Sequence, residues 1–139
     1  MRRTAITLEI FLAIGALGGG LALMLGPRGE VLPLPIALLA GSPFTTYLVP
    51  GAILFAVLGL GPLIAAGLGI RRHRLAPLAC VVVGAALLIW LAVEIAIVGY
   101  ANDPPLQPAY LLLGAMITIV GIAWTRASHG AQVRAIRLG

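Results

Sequence analysis

Four apolar stretches, each close to twenty residues long, fill most of this chain and leave only short connections between them. About twenty apolar residues carry an α-helix across the ~30 Å hydrocarbon core of a bilayer, so the pattern points to four transmembrane helices. Of the 139 residues, 61% are hydrophobic and 9% charged, against about 25% charged in soluble domains. A water-soluble fold has nowhere to hide that much apolar surface, and the mean hydropathy of +1.12 makes lipid the expected solvent.

The expected fold is all-α: a four-transmembrane-helix bundle forming a single integral membrane domain over residues 1–139. Its spans are expected at about 4–26, 50–70, 77–100 and 109–125, followed by a basic cytoplasmic tail at 126–139. Arg2 and Arg3 before the first run resemble the basic start of a signal peptide, but the run is longer than a usual signal core and reads as a retained helix. Pro27 closes it, and Pro33, Pro35, Gly41 and Pro43 break up the segment that follows. The apolar piece 34–40 is too short to span and is expected as a short interfacial helix in the first outer loop. Pro50 and Pro77 stand at helix starts, where a missing N–H costs nothing. Gly61 and Pro62 interrupt the second span and predict a kink there.

All nine basic residues are arginines, and eight of them fall on one side of the predicted spans, with Arg28 alone on the other. An excess of this kind marks the cytoplasmic side, so both termini are expected in the cytoplasm, anchored by Arg2, Arg3, Arg71, Arg72, Arg74 and Arg126. The same placement explains the net charge of +5 as a topology signal and removes any reason to expect nucleic-acid binding. The single cysteine, Cys80, excludes a disulfide within the chain and reads as a small apolar filler.

Helices in lipid associate by close contact between small residues. Gly15 and Gly19 with Ala16 and Gly20 beside them in the first span, Gly61, Ala65 and Gly69 in the second, and Gly114, Thr118, Gly121 and Thr125 in the fourth therefore mark the expected packing faces.

Acidic groups inside a span cost about 2.5–3.5 kcal/mol at a helix centre, which makes Glu94 in the third span the most informative side chain. No Arg, Lys or His lies within a predicted span, so its expected partners are backbone groups or the hydroxyls of Tyr47, Thr45, Thr46 or Tyr110 in the outer half. Glu94, Tyr47 and Thr118 form the candidate ligand or proton site. Glu9 lies about a turn and a half into the first span and is expected to snorkel or pair with nearby arginines. His73 and His129 belong to different cytoplasmic segments and give no metal-site spacing. No catalytic set or phosphate loop is apparent, so no enzyme activity and no cofactor beyond bound lipid are expected.

The stretch from Gly41 to Gly51, the arginine-rich turn, Trp90 with Glu94, Gly99-Tyr100 and Leu106-Gln107-Pro108 together resemble a pattern in small uncharacterised four-helix bacterial membrane proteins. The resemblance implies a bacterial cytoplasmic (inner) membrane and no known activity. The leading functional expectation is a non-enzymatic accessory or stabilising subunit of a larger membrane assembly, in contact with lipids and with other subunits or further copies of itself. The alternatives are an oligomeric small transporter or channel using Glu94, and a lipid- or quinone-binding protein with its cleft under the segment 43–50.

Overall fold

The first helix, α1 (Arg2–Leu25), buries Ala5, Glu9, Leu12, Ala13, Ala16, Gly20 and Leu23. Steps of three and four place these residues on one stripe of a 3.6-residue helix. Phe11 and Ile14 on the opposite face are 64% and 68% exposed. The same inversion holds around the protein, with Ile64, Val82, Ile89, Leu112 and Ile119 all pointing outward. Such a surface would aggregate in water, whereas in lipid it is simply the solvated face. The chain is described by a computed structural model covering residues 1–26, 46, 48–98 and 106–138. The expected interfacial helix at 34–40, Thr45, Tyr47 and the turn 101–105 lie outside the described residues.

The second span, Leu48–Ile70, is continuous but not uniform. It consists of α2 (Leu48–Ile53), a π-helical segment (Leu54–Leu60) and α3 (Gly61–Ile70). Pro62 explains the break: it has no N–H to give the carbonyl four residues back, and its ring crowds that carbonyl. Widening the preceding turns relieves the conflict, and the Gly61 N–H accordingly bonds to the Ala56 carbonyl, five residues back. The interruption foreseen at Gly61 and Pro62 thus takes the form of a π-segment displaced toward the N-terminus of the span.

Two helices complete the bundle, α4 (Ala76–Val98) and α5 (Leu106–Leu138). At 33 residues α5 is roughly 50 Å long, well beyond the ~30 Å hydrocarbon core. Residues expected as a tail from Arg126 onward therefore continue the fourth helix. The reason is local: Ala127, Ala131, Gln132 and Ala135 are good helix formers and no proline intervenes.

Each helix runs antiparallel to the one before it. Gly20, Leu17 and Ile6 of α1 lie against Gly51, Gly59 and Gly69 of the second span in descending order. Thr118 and Gly121 of α5 meet Gly84 and Val81 of α4 in the same fashion. The most extensive contacts of the fold are α1 along the whole second span and α5 along α4, while α3 touches α4 more sparsely. Between them sits a core of small and medium side chains that includes Ala5, Leu12, Leu58, Ala65, Cys80, Leu87 and Ile117.

Candidate functional site

Glu9 is the polar group most completely enclosed. It is four residues after Ala5 and three before Leu12, so it falls on the buried stripe of α1 and is 1% exposed. The thiol of Cys80 on α4 lies beside its carboxyl group. That thiol donates instead to the Ile117 carbonyl oxygen of α5, at 3.4 Å. Both carboxyl oxygens of Glu9 are left without a hydrogen-bond partner. The expected ion pair with the nearby arginines does not form, because helix periodicity turns Glu9 inward. Arg2 donates from Nη1 to the Gly69 carbonyl oxygen at 3.3 Å, a cation at the C-terminal end of α3, where carbonyl dipoles favour positive charge. An acid within a span and without a counter-charge is a functional candidate by default, and the spacing Ala5, Glu9, Leu12, Ala16 is the signal that could have placed this one on the inner face.

Glu94 is placed differently. Cys80, Val83, Leu87 and Leu91 form the buried stripe of α4, and Glu94 extends it by one more turn, where it is only half-buried. Its neighbours Ala92, Val93 and Ala96 are exposed. By a rise of 1.5 Å per residue it lies roughly 6 Å from the end of α4. The antiparallel register of α4 and α5 sets it at the level of Pro108, next to buried Gln107.

Thr118 is not part of that neighbourhood. It packs against Gly84, ten residues and roughly 15 Å along α4 from Glu94. Its hydroxyl donates to the Gly114 carbonyl at 2.7 Å, and Thr125 repeats the arrangement to Gly121 at 2.8 Å. Both hydroxyls are thereby committed within their own helix, leaving small faces toward α4.

The predicted packing glycines divide by location. Gly15 accommodates the Tyr110 hydroxyl, Gly19 is in ordinary contact with Leu54, and Gly69 receives Ile6 and Trp124. Gly114 and Gly121 accept Leu88 and the backbone of Val81. Ala65 is 3% exposed. Gly61 packs against nothing: a Cβ there would meet no atom within 4 Å, because α3 turns this position toward a gap beside α4. Gly20, beside the Gly15–Gly19 pair, meets the backbone of Gly51 and Phe55, and close approaches also occur at Gly51, Gly59 and Gly84, which sequence spacing did not single out.

Arginines gather at one end of the bundle. Arg71, Arg72 and Arg74 in the turn between α3 and α4 are exposed. The turn is pinned by bonds from the Arg71, Arg72 and His73 N–H groups to the Gly67, Gly69 and Leu68 carbonyls. His73 in turn accepts the Leu75 N–H at Nδ1, 3.1 Å away. Arg72 adopts φ 55°, the left-handed conformation uncommon for residues other than glycine. Arg2 joins the same end through Gly69. Trp124 near Gly69 places exposed Arg126 there as well.

Among the described residues no group of three His, Cys, Asp or Glu side chains is arranged to hold a metal. Four helices are each long and apolar enough to cross a membrane, which makes this chain a multi-pass α-helical membrane protein. No protein-family model matches it, and neither the curated proteins nor the solved structures provide a similar protein. The resemblance to small four-helix bacterial membrane proteins therefore extends to the four candidate spans and to no identified family.

Proposed function

We propose that the protein is a non-enzymatic accessory or stabilising subunit that docks a helix of another membrane protein on the Glu94 face of α4. The observation that carries this reading is the incomplete cover over Glu94. Around the spans the described outer surface is apolar, and on α4 one half-buried carboxyl interrupts it, flanked by exposed Ala92, Val93 and Ala96. Hydrocarbon offers such a group no hydrogen bond, whereas a donor on a partner helix does, at about 0.6–2 kcal/mol per interhelical bond. The arginine asymmetry supports a cytoplasmic placement of both termini, with the long basic end of α5 reaching past the headgroups, and the resemblance to small bacterial membrane proteins supports a bacterial inner-membrane setting.

The test is extraction of the tagged chain in native nanodiscs, followed by mass analysis of what accompanies it. A stoichiometric partner is expected with the unaltered chain. With Glu94→Leu its recovery should fall about threefold to thirtyfold, matching loss of one intramembrane hydrogen bond, and Glu94→Gln should retain an intermediate amount. Helix content and thermal midpoint should be the same in all three. Recovery of the chain alone, or of a partner indifferent to Glu94→Leu, defeats the proposal.

A further inference from the structure

An open groove of about 440 Å³ runs between the second span and α4. Val57, Gly61 and Ile64 form one wall and Leu75, Leu78 and Val82 the other, and no charged or polar side chain lines it. The wall on α4 extends from Leu75 to Ala86 and the facing wall from Val57 to Leu68. Eleven steps at 1.5 Å give each wall a length of roughly 16 Å, about half the ~30 Å hydrocarbon core. The groove is thus as long as the acyl region of one leaflet. Gly61 widens it, since nothing approaches within 4 Å of where its side chain would be.

The groove ends at Leu75, immediately after Arg71, Arg72 and Arg74. Those three arginines are exposed, and the turn that carries them is fixed by backbone bonds at 2.9–3.1 Å. The backbone that carries them is therefore set before any ligand arrives, with Arg72 in the left-handed conformation. An apolar slot one leaflet deep, opening at a cluster of three cations, matches a molecule with a hydrocarbon chain and an anionic head.

We propose that this groove is a binding site for an anionic phospholipid drawn from the leaflet at the arginine-rich end, its acyl chain lying between α3 and α4 and its headgroup on Arg71, Arg72 and Arg74. An extended polypeptide segment fits less well, because its unpaired backbone in hydrocarbon leaves polar groups unsatisfied, whereas an acyl chain has none. Guanidinium groups also suit phosphate oxygens through paired N–H donors. This site is separate from the Glu94 face, since its wall on α4 ends at Ala86.

The full chain, reconstituted into nanodiscs of equal parts phosphatidylglycerol and phosphatidylcholine, is released by gentle activation and its retained lipids counted by native mass spectrometry. Phosphatidylglycerol adducts should exceed phosphatidylcholine adducts at least tenfold. Neutralising the turn by Arg71→Gln, Arg72→Asn and Arg74→Gln should abolish that preference, each charge near the leaflet being worth up to about fivefold. Lysine at the same three positions should preserve most of it. Asparagine is chosen at Arg72 because it tolerates the left-handed backbone. Both faces of a nanodisc are accessible, so a changed insertion direction does not affect the reading.

Val82→Trp places a bulky group in the groove from a position already 58% exposed. It should abolish retention of both lipids while helix content and thermal midpoint are unchanged. Should that variant unfold, the arginine series decides alone, since those side chains are exposed. Equal retention of the two lipids, a preference that survives the neutral turn, or retention by a folded Val82→Trp protein each overturns the site.

Discussion

Leucine at Gly20 is expected to drive α1 away from the second span, while leucine at Gly18, two residues earlier, should leave the protein intact. A Cβ at Gly20 would lie 2.7 Å from the Gly51 carbonyl oxygen and 2.7 Å from the Phe55 nitrogen. Both are backbone atoms and have no rotamer by which to withdraw. The approach is reciprocal, because a Cβ on Gly51 would stand 2.7 Å from Leu23 Cβ and 3.0 Å from the Gly20 oxygen. Overpacking of this kind costs about 1–3 kcal/mol where side chains yield, and backbone opposition puts Gly20→Leu at or above the upper end. A fall in thermal midpoint on the order of 10 °C follows, together with loss of a single sharp species on size exclusion. Gly18 is exposed and a Cβ there meets nothing within 4 Å, so its change should stay within about 0.5 kcal/mol. Gly84→Leu, which would meet the backbone of Thr118, should separate α4 from α5 in the same way. Circular dichroism melts in nanodiscs measure all three, and equal midpoints for Gly18→Leu and Gly20→Leu would show that close helix approach does not hold this bundle together.

The contrast between Gly18 and Gly20 also explains how far the sequence reaches. Spans are legible because lipid imposes a length and a composition on every segment that crosses it; Pro77 and the arginine turn fall at helix ends, whereas Pro50 is the third residue of α2, still within its first turn. Which small residues touch is a matter of which helix stands opposite. With 18 glycines, spacings of four recur by chance, so they mark Gly15 and Gly69 but also Gly61, which faces open space, and they do not mark Gly51, Gly59 or Gly84. Thr118 shares a stripe with Gly114 and Gly121, a packing signal, and its grouping with Glu94 ignored the distance along α4. The π-segment was legible only as a disturbance at Pro62, since a missing N–H tells where the ladder fails but not how the turn before it responds. The inward placement of Glu9 was within reach: Ala5, Glu9, Leu12 and Ala16 follow the helical repeat, and attention to nearby arginines obscured it.

That placement carries the second large expectation. Glu9→Leu should make the isolated protein more stable, although it removes a residue at the centre of the inner face. Burying a polar group with no hydrogen bond costs about 1–3 kcal/mol, and here both carboxyl oxygens are sealed and unpartnered. Leucine has a similar volume, and it meets Cys80 and the apolar stripe without asking for a donor. Breaking no bond and opening no cavity, it should raise the thermal midpoint by several degrees. Glu9→Gln should gain little, because an amide carries the same demand for partners into the same place. Glu9→Ala separates the two contributions: it relieves the polar strain but leaves a void, and should fall below Glu9→Leu by the cost of that void. If instead Glu9→Leu melts lower than the unaltered chain, the carboxyl group has a stabilising contact in the membrane, and the bundle around Cys80 and Ile117 must rearrange to provide it. If it melts higher, the chain retains at its core an acid that its own fold does not require. Groups kept against stability in this way mark sites held for function, and partner recovery measured with Glu9→Leu beside Glu94→Leu then tells whether the inner acid serves the same association as the outer one.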